Sequence, residues 1–221
     1  MQFSGLKKNP SVPQAPADIV TRLRDIPVAL LSDNMQRNRG AVGLQPYHKP
    51  APLAGTAVTV LTRGGDNLAI LRAFEFCRPG DVMVVDAGGD VTNAVIGGIL
   101  SYYGATIGLA GMVIDGAIRD VAEIGERTFP VYARGVNHRG PYKDGPGAIN
   151  IPVTVGGMTV QPGDLVVGDQ DGLLAFAPEM ASALIEKAEA QRAKEEATMA
   201  AMREGRWDRS FIDALEARCM N

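Results

Sequence analysis

The sequence predicts an α/β protein, and three observations carry that prediction. VMVVDAGG (82–89) and GLAGMVIDG (108–116) are short runs, apolar almost throughout, of the kind found in strands buried on both faces. Segments with helical apolar spacing lie between and after them, as in NLAILRAFEF (67–76). Gly and Pro punctuate the junctions, for example RPGD (78–81).

Taken in order, residues 1–17 hold Pro10, Pro13 and Pro16 and few apolar side chains, which predicts an extended arm able to lie on a neighbouring subunit. An α/β domain follows over 18–177. DIVTRLRDI, from Asp18, has helical spacing with Asp18 as N-cap. Pro27 then opens VALLSDNM, a strand or a second short helix. AGTAVTVLT (54–62) has strand composition, and NAVIGGILSYYGAT (93–106) suits a helix beginning near its glycine pair.

The stretch 131–176 is dense in Gly and Pro with short β runs, predicting hairpins and meanders. After Pro178, ASALIEKAEAQRAKEEATMAAMREG predicts one long helix ending near Gly205. WDRSFIDALEARCMN adds a short last helix, so 178–221 reads as a helical extension.

Composition narrows the function classes. The chain has 221 residues, 46% of them apolar and 21% charged, enough to bury a core without staples. Its 22 basic against 25 acidic residues give a net charge of −3, which argues against a phosphate-backbone-binding surface and so against a nucleic-acid partner. No leader-like or membrane-spanning apolar run is present, so neither a membrane partner nor secretion is expected. Cys77 and Cys219 are the two cysteines, without zinc-ligand spacing, and fit a reducing cytoplasm.

The chain lacks GxGxxG, Walker A, GxSxG and HExxH. DAGGD (86–90) reads as a tight turn, and His48 and His138 as exposed loop histidines. The informative segment is GLAGMVIDGAIRD, which delivers Asp115, Gly116, Arg119 and Asp120 to the C-terminal end of a strand, where α/β proteins assemble ligand sites. A loop carboxylate such as Asp120 can hold Mg²⁺ or Mn²⁺, and Arg119 beside it can hold a carboxylate or a developing enolate. The competing reading of Arg119 and Asp120 is a surface ion pair capping the next helix. In VIGGIL (95–100), glycines at a helix start leave backbone N–H groups free for an anion, or simply allow tight helix-to-sheet packing.

With VVDAGG (84–89), NAVIGGILS (93–101), VIDGAIRD (113–120) and PGDLVVGDQDGLLAF (162–176) in one order and at matching separations, the chain resembles the RraA-like family over about Pro27 to Gly205. That family includes class II 4-hydroxy-4-methyl-2-oxoglutarate/4-carboxy-4-hydroxy-2-oxoadipate aldolases and the regulator of ribonuclease activity A. The resemblance implies a layered α/β sandwich similar to the phosphohistidine swivelling domains, extended here by the long C-terminal helix. It also implies homotrimers or homohexamers with active sites between subunits, and a small-molecule 2-oxo acid as substrate.

By the same resemblance Asp120 is the direct ligand of a divalent metal, Mg²⁺ or Mn²⁺, and Arg119 binds the pyruvyl oxygen. The N–H groups of Ile99 and Leu100, following Gly97 and Gly98, contact the substrate carboxylate. Glu195, or Glu196 one residue on, reaches a neighbouring subunit's site. Where the aldolases carry an acid immediately before the two backbone donors, this chain has Gly98, 21 positions before Arg119. Asp90, Asp86 and Asp171 are possible substitutes. The implied activity is a metal-dependent carbon–carbon lyase, cleaving a 4-hydroxy-2-oxo acid to pyruvate or decarboxylating oxaloacetate through a pyruvate enolate. The alternative is a non-catalytic regulator like the ribonuclease regulator. The C-terminal helix favours the enzyme, and neither Lys143 nor Lys187 has a setting that argues for a Schiff base. Some family members bear the name demethylmenaquinone methyltransferase, but this chain has no glycine-rich loop for S-adenosylmethionine.

Overall fold

The computed structural model describes residues 5–37 and 40–219. Its centre is the long strand β3 (Leu53–Thr62), followed in space by β4 (Asp81–Asp86), β6 (Gly111–Ile118) and β7 (Val131–Val136), all parallel. The remaining strands are β1 (Leu6–Lys8), β2 (Gln45–Pro46), β5 (Ala94–Ile96), β8 (Gly147–Ile149), β9 (Val153–Val155), β10 (Met158–Val160), β11 (Leu165–Asp169) and β12 (Gly172–Phe176). The helices are α1 (Ala17–Arg24), α2 (Val28–Asn34), α3 (Leu68–Ala73), α4 (Gly98–Thr106), α5 (Val121–Gly125), α6 (Ala181–Arg203) and α7 (Phe211–Cys219).

Because helices and loops cover both faces of the parallel strands, β4 and β6 are buried at nearly every position, which is why their sequences run apolar without alternation. One core, including Met83, Val85, Ile96, Ile114 and Ile118, packs under α3, α4 and α5. A second, including Leu23, Leu31, Leu165 and Ile185, is shared by α1, α2 and α6. A third joins Leu53, Val84, Val113 and Tyr132 to the β9–β10 hairpin.

Several expectations are met and several are corrected. The strands at 54–62, 82–86 and 111–116, the helix at 68–73 and the long helix to Arg203 are all present. VALLSDNM resolves as helix α2, with Pro27 immediately before it, where a missing N–H costs nothing. Asp18 lies in the first turn of α1 but is not its cap, a place taken by Pro16. The 131–176 region does form hairpins at β9–β10 and β11–β12, yet β7 is parallel to β6.

The N-terminal arm packs on its own chain. β1 pairs with β8, Ser11 donates to Phe76 O, and Gln14 Nε2 donates to the buried Asp81 carboxylate at 2.8 Å. DAGGD is a turn, with Gly88 and Gly89 at φ +68° and +71°. His138 is exposed as expected, but His48 is buried at 6% exposure. Its ring stands edge-on to Tyr132 with centroids 5.1 Å apart, and its Nδ1 accepts from Val131 N–H at 3.1 Å.

Candidate active site

The predicted residues meet where β5 and β6 end side by side. β5 is only three residues long, cut from a segment whose composition reads as helix, because Ala94 and Ile96 pair in parallel with Ala117 and Ile118. Arg119 N–H donates to Ile96 O at 3.0 Å, tying the exit of β6 to the entry of α4. Both strands therefore deliver their next residues to the same place, the C-terminal edge of a parallel pair.

Asp120 turns the chain there. Its φ of +58° and ψ of +35° lie in the left-handed region, tolerated by Asp better than by most residues, and cost of order 1–3 kcal/mol for a non-glycine. The turn brings its carboxylate to the start of α4, where Oδ2 accepts the Gly98 N–H at 2.9 Å. Arg119 Nε stands 3.7 Å from the same oxygen, and both side chains remain nearly half exposed. Asp120 thus sits at the N-cap position of α5 without a side-chain capping bond there: its carboxylate is hydrogen-bonded to the start of α4 instead.

Gly97 and Gly98 make this approach possible. A Cβ at Gly97 would overlap Asp120 Oδ2 and come within 2.9 Å of Arg119 Cγ. The Ile99 and Leu100 N–H groups belong to the first turn of α4, which has no helical acceptors for them. Both residues line a cleft of about 200 Å³ with Arg119, Asp120, Asn67 and Lys143. Helix packing and an open helix start therefore coexist at this glycine pair.

Position 98 answers the question its sequence raises. A Cβ built on Gly98 would overlap Glu123 Oε2 and lie 2.8 Å from the Glu123 carboxyl carbon. A carboxylate from α5 thus occupies the space that a side chain at 98 would enter. Of the three other acids named as substitutes, the Asp90 and Asp86 carboxylates are engaged in turns of their own, with Thr92 and with Gly88 and Thr154, while Asp171 lies in the β11–β12 turn, its backbone N–H donating to Asp169 Oδ1. Sequence reasoning missed Glu123. The available signal was its place three residues after Asp120, which puts both on one side of a helical turn.

Asn67 and Lys143 also escaped it as site residues. Asn67 is 4% exposed, its Nδ2 donates to Val95 O at 3.1 Å, and its Oδ1 is buried without a hydrogen-bond partner. His138 lines a second depression with Arg119 and Asp120. Glu195 is not brought to Asp120 within the chain. It lies on α6, whose core-facing residues pack against α1 and α2, and it accepts from Gln191 Nε2 at 2.9 Å. Glu196 is likewise exposed on α6.

Among the described residues no three His, Cys, Asp or Glu side chains form a cage for a metal ion. The site instead has two carboxylates, Asp120 and Glu123, bordering the Gly97–Gly98 backbone. That donor set fits a hard cation of the Mg²⁺ or Mn²⁺ kind, which takes one or two carboxylates and keeps much of its water.

Comparison with known proteins identifies the family. The chain is 38% identical over 185 residues to a Halalkalibacterium halodurans protein named "Putative 4-hydroxy-4-methyl-2-oxoglutarate aldolase", covering 83% of this chain and 88% of that one. An uncharacterized protein from Pseudomonas syringae has a similar structure, with TM-score 0.79 and 25% identity over 89% of this chain and 95% of its own. Streptomyces coelicolor RraAS2, described as an unusual member of the RNase ES inhibitor RraA protein family, superposes with TM-score 0.78 at 27% identity, over 85% of this chain and 98% of its own. The RraA-like profile, described as Aldolase/RraA, matches residues 28–175, and with two thirds of its length matched the chain belongs to the RraA-like family.

Proposed function

We propose that this protein is a divalent-metal-dependent lyase that releases pyruvate from a 4-hydroxy-2-oxo acid, and that the same site decarboxylates oxaloacetate. The observation that carries this reading is the Arg119–Asp120 pair turned against the open N-terminus of α4, inside a cleft. Supporting it is the name borne by the 38%-identical Halalkalibacterium relative.

In this reading the Ile99 and Leu100 N–H groups hold the C1 carboxylate of the substrate, an anion placed at the positive end of a helix. Arg119 donates to the C2 oxygen, on which negative charge grows as the C3–C4 bond breaks and the electron pair enters the pyruvate enolate. Asp120 would hold the cation. When bound, that cation polarises the 2-oxo acid as a Lewis acid. Glu123, in place of an acid at position 98, orders water beside Asp120 and accepts the proton of the 4-hydroxyl through it.

Two further residues face the departing half. The unpartnered Asn67 Oδ1 accepts from a water in the cleft, leaving the one 4-hydroxyl proton to the Glu123 route, and the Lys143 ammonium attracts a second carboxylate. For oxaloacetate the bond broken is C3–C4, carbon dioxide leaves, and the enolate is protonated at C3. Glu195 from a neighbouring copy of a trimer or hexamer completes the acidic wall. Exposed Ile99, Tyr102 and Tyr103 beside the cleft, and Met199 and Met202 on α6, are apolar surfaces suited to such an assembly.

The test is pyruvate release from oxaloacetate and from 4-hydroxy-4-methyl-2-oxoglutarate with Mg²⁺, with Mn²⁺ and with chelator. Turnover that requires both the cation and Asp120 is expected. Folded protein that binds metal without turning over either substrate overturns the proposed substrates. Protein that binds no metal favours a regulatory role of the kind named for the Streptomyces relative.

A further inference from the structure

An acid built on the α4 backbone at position 98 would be held in place by the helix itself, whereas Glu123 reaches the same space on a flexible side chain that is 54% exposed. Something else must fix it, because an unrestrained glutamate would spend much of its time in other rotamers. Arg127, one turn further on, donates from Nη2 to Glu123 Oε1 at 2.5 Å, leaving Oε2 as the oxygen turned toward Gly98. The guanidinium is itself seated, with its carbon 4.9 Å from the centre of the Tyr102 ring. Tyr102 stands one turn along α4 from Gly98. The contacts therefore close a ring, from Gly98 to Glu123, Arg127, Tyr102 and back along α4.

A further detail separates this arrangement from an ordinary surface ion pair. Arg127 is 29% exposed at its side chain, and its Nη1 is buried with no hydrogen-bond partner. The unpaired Nη1 costs free energy, so the contacts of the guanidinium with the Glu123 carboxylate and the Tyr102 ring must offset that cost to keep Arg127 in this place.

We infer that Arg127, seated on Tyr102, is a positioning residue that holds Glu123 over the start of α4 and thereby sets the affinity of the site for its divalent cation. This rests on the reading of Glu123 as the stand-in for an acid at position 98. The two can be tested apart.

The probe is Mn²⁺ binding to metal-free protein, read by electron paramagnetic resonance of the free ion. Arg127→Met is expected to weaken binding roughly 10-fold, as loss of an outer partner of a metal site does. Arg127→Lys, which keeps the charge and loses the fork, falls between the two. In a Gly98→Asp/Glu123→Ala background, where the carboxylate stands on α4 and no longer needs a holder, Arg127→Met is expected to change affinity less than about twofold, since the Glu123 carboxylate through which Arg127 acts is already gone.

Equal weakening in both backgrounds overturns the inference, because Arg127 would then act on the fold and not through Glu123. So does unchanged affinity in Arg127→Met when Glu123→Gln weakens binding. Glu123→Gln binding Mn²⁺ as the natural protein does overturns the Glu123 reading, and the inference with it. Should the doubly substituted background fail to fold, the natural background decides: partial rescue by lysine supports positioning, and equal losses for Lys and Met overturn it.

Discussion

A single methyl group at position 97 should disable the site and leave the fold intact. Gly97 has φ −153° and ψ −161°, extended backbone that alanine adopts freely, so Gly97→Ala carries no conformational penalty. Its Cβ, however, would overlap Asp120 Oδ2, with Arg119 Cγ and Nε at 2.9 and 3.3 Å. Both of those side chains are nearly half exposed and can swing outward, so the clash is relieved by moving the very groups proposed to act. The 2.9 Å bond from Gly98 N–H to the Asp120 carboxylate is lost in the process. A hydrogen bond to a charged group is worth about 1.5–3 kcal/mol, or a ~10- to 150-fold fall in kcat/KM. The assay is pyruvate release from oxaloacetate with saturating Mg²⁺, alongside thermal unfolding. A Tm lowered by no more than roughly 10 °C, with cooperative unfolding retained, and kcat/KM reduced by that factor are expected. Activity within twofold would refute the placement of Asp120 against α4.

Other perturbations follow from the same geometry. Glu123→Ala should lower activity or Mn²⁺ affinity by roughly 10- to 100-fold, and adding Gly98→Asp should recover most of it; a double variant no better than Glu123→Ala contradicts the exchange of positions. Gly98→Asp alone should be worse than the double variant, because two carboxylates would then compete for one space. Burial holds the His48 ring below its ordinary value of 6.5, against the opposing pull of its backbone hydrogen bonds. The unfolded chain therefore binds a proton first as pH falls, so this contribution is present above about pH 6.5 and is lost below it, down to the depressed native value. Urea midpoints between pH 7.5 and 5 should fall more steeply for the natural protein than for His48→Phe, and parallel slopes would argue against it. Burial also pushes the Cys77 thiol up to about 12, so iodoacetamide at pH 8 should label the exposed Cys219 first and reach Cys77 only on unfolding.

Much of the parallel sheet was legible because burial on both faces leaves a local signature. VMVVD and GMVID need no partner in view to be read as inner strands. The glycine pair and Arg119–Asp120 were legible as a candidate site for a similar reason: each sits at a junction marked by composition. What escaped depended on neighbours distant in sequence. Ala94–Ile96 is a strand only because the end of β6 lies beside it. His48 is buried because β7 passes over a segment that reads as loop. The N-terminal arm has few apolar residues, yet Gln14 reaches Asp81 and β1 finds β8, contacts that hydropathy does not record. Glu123 is the most instructive case, since its proposed role depends on an absence 25 residues earlier, at Gly98, which becomes meaningful only once α4 and α5 are packed together.

The central claim is that Arg119 and Asp120 serve chemistry through a pyruvate enolate, and it can be tested without knowing the physiological substrate. Pyruvate in D₂O, incubated with the protein and Mg²⁺ or Mn²⁺, should lose its methyl proton signal as C3 exchanges with solvent. That exchange should disappear with chelator and in Asp120→Ala, and slow strongly in Arg119→Ala. No exchange above background by folded, metal-loaded protein, or exchange undiminished in Asp120→Ala, would contradict the account.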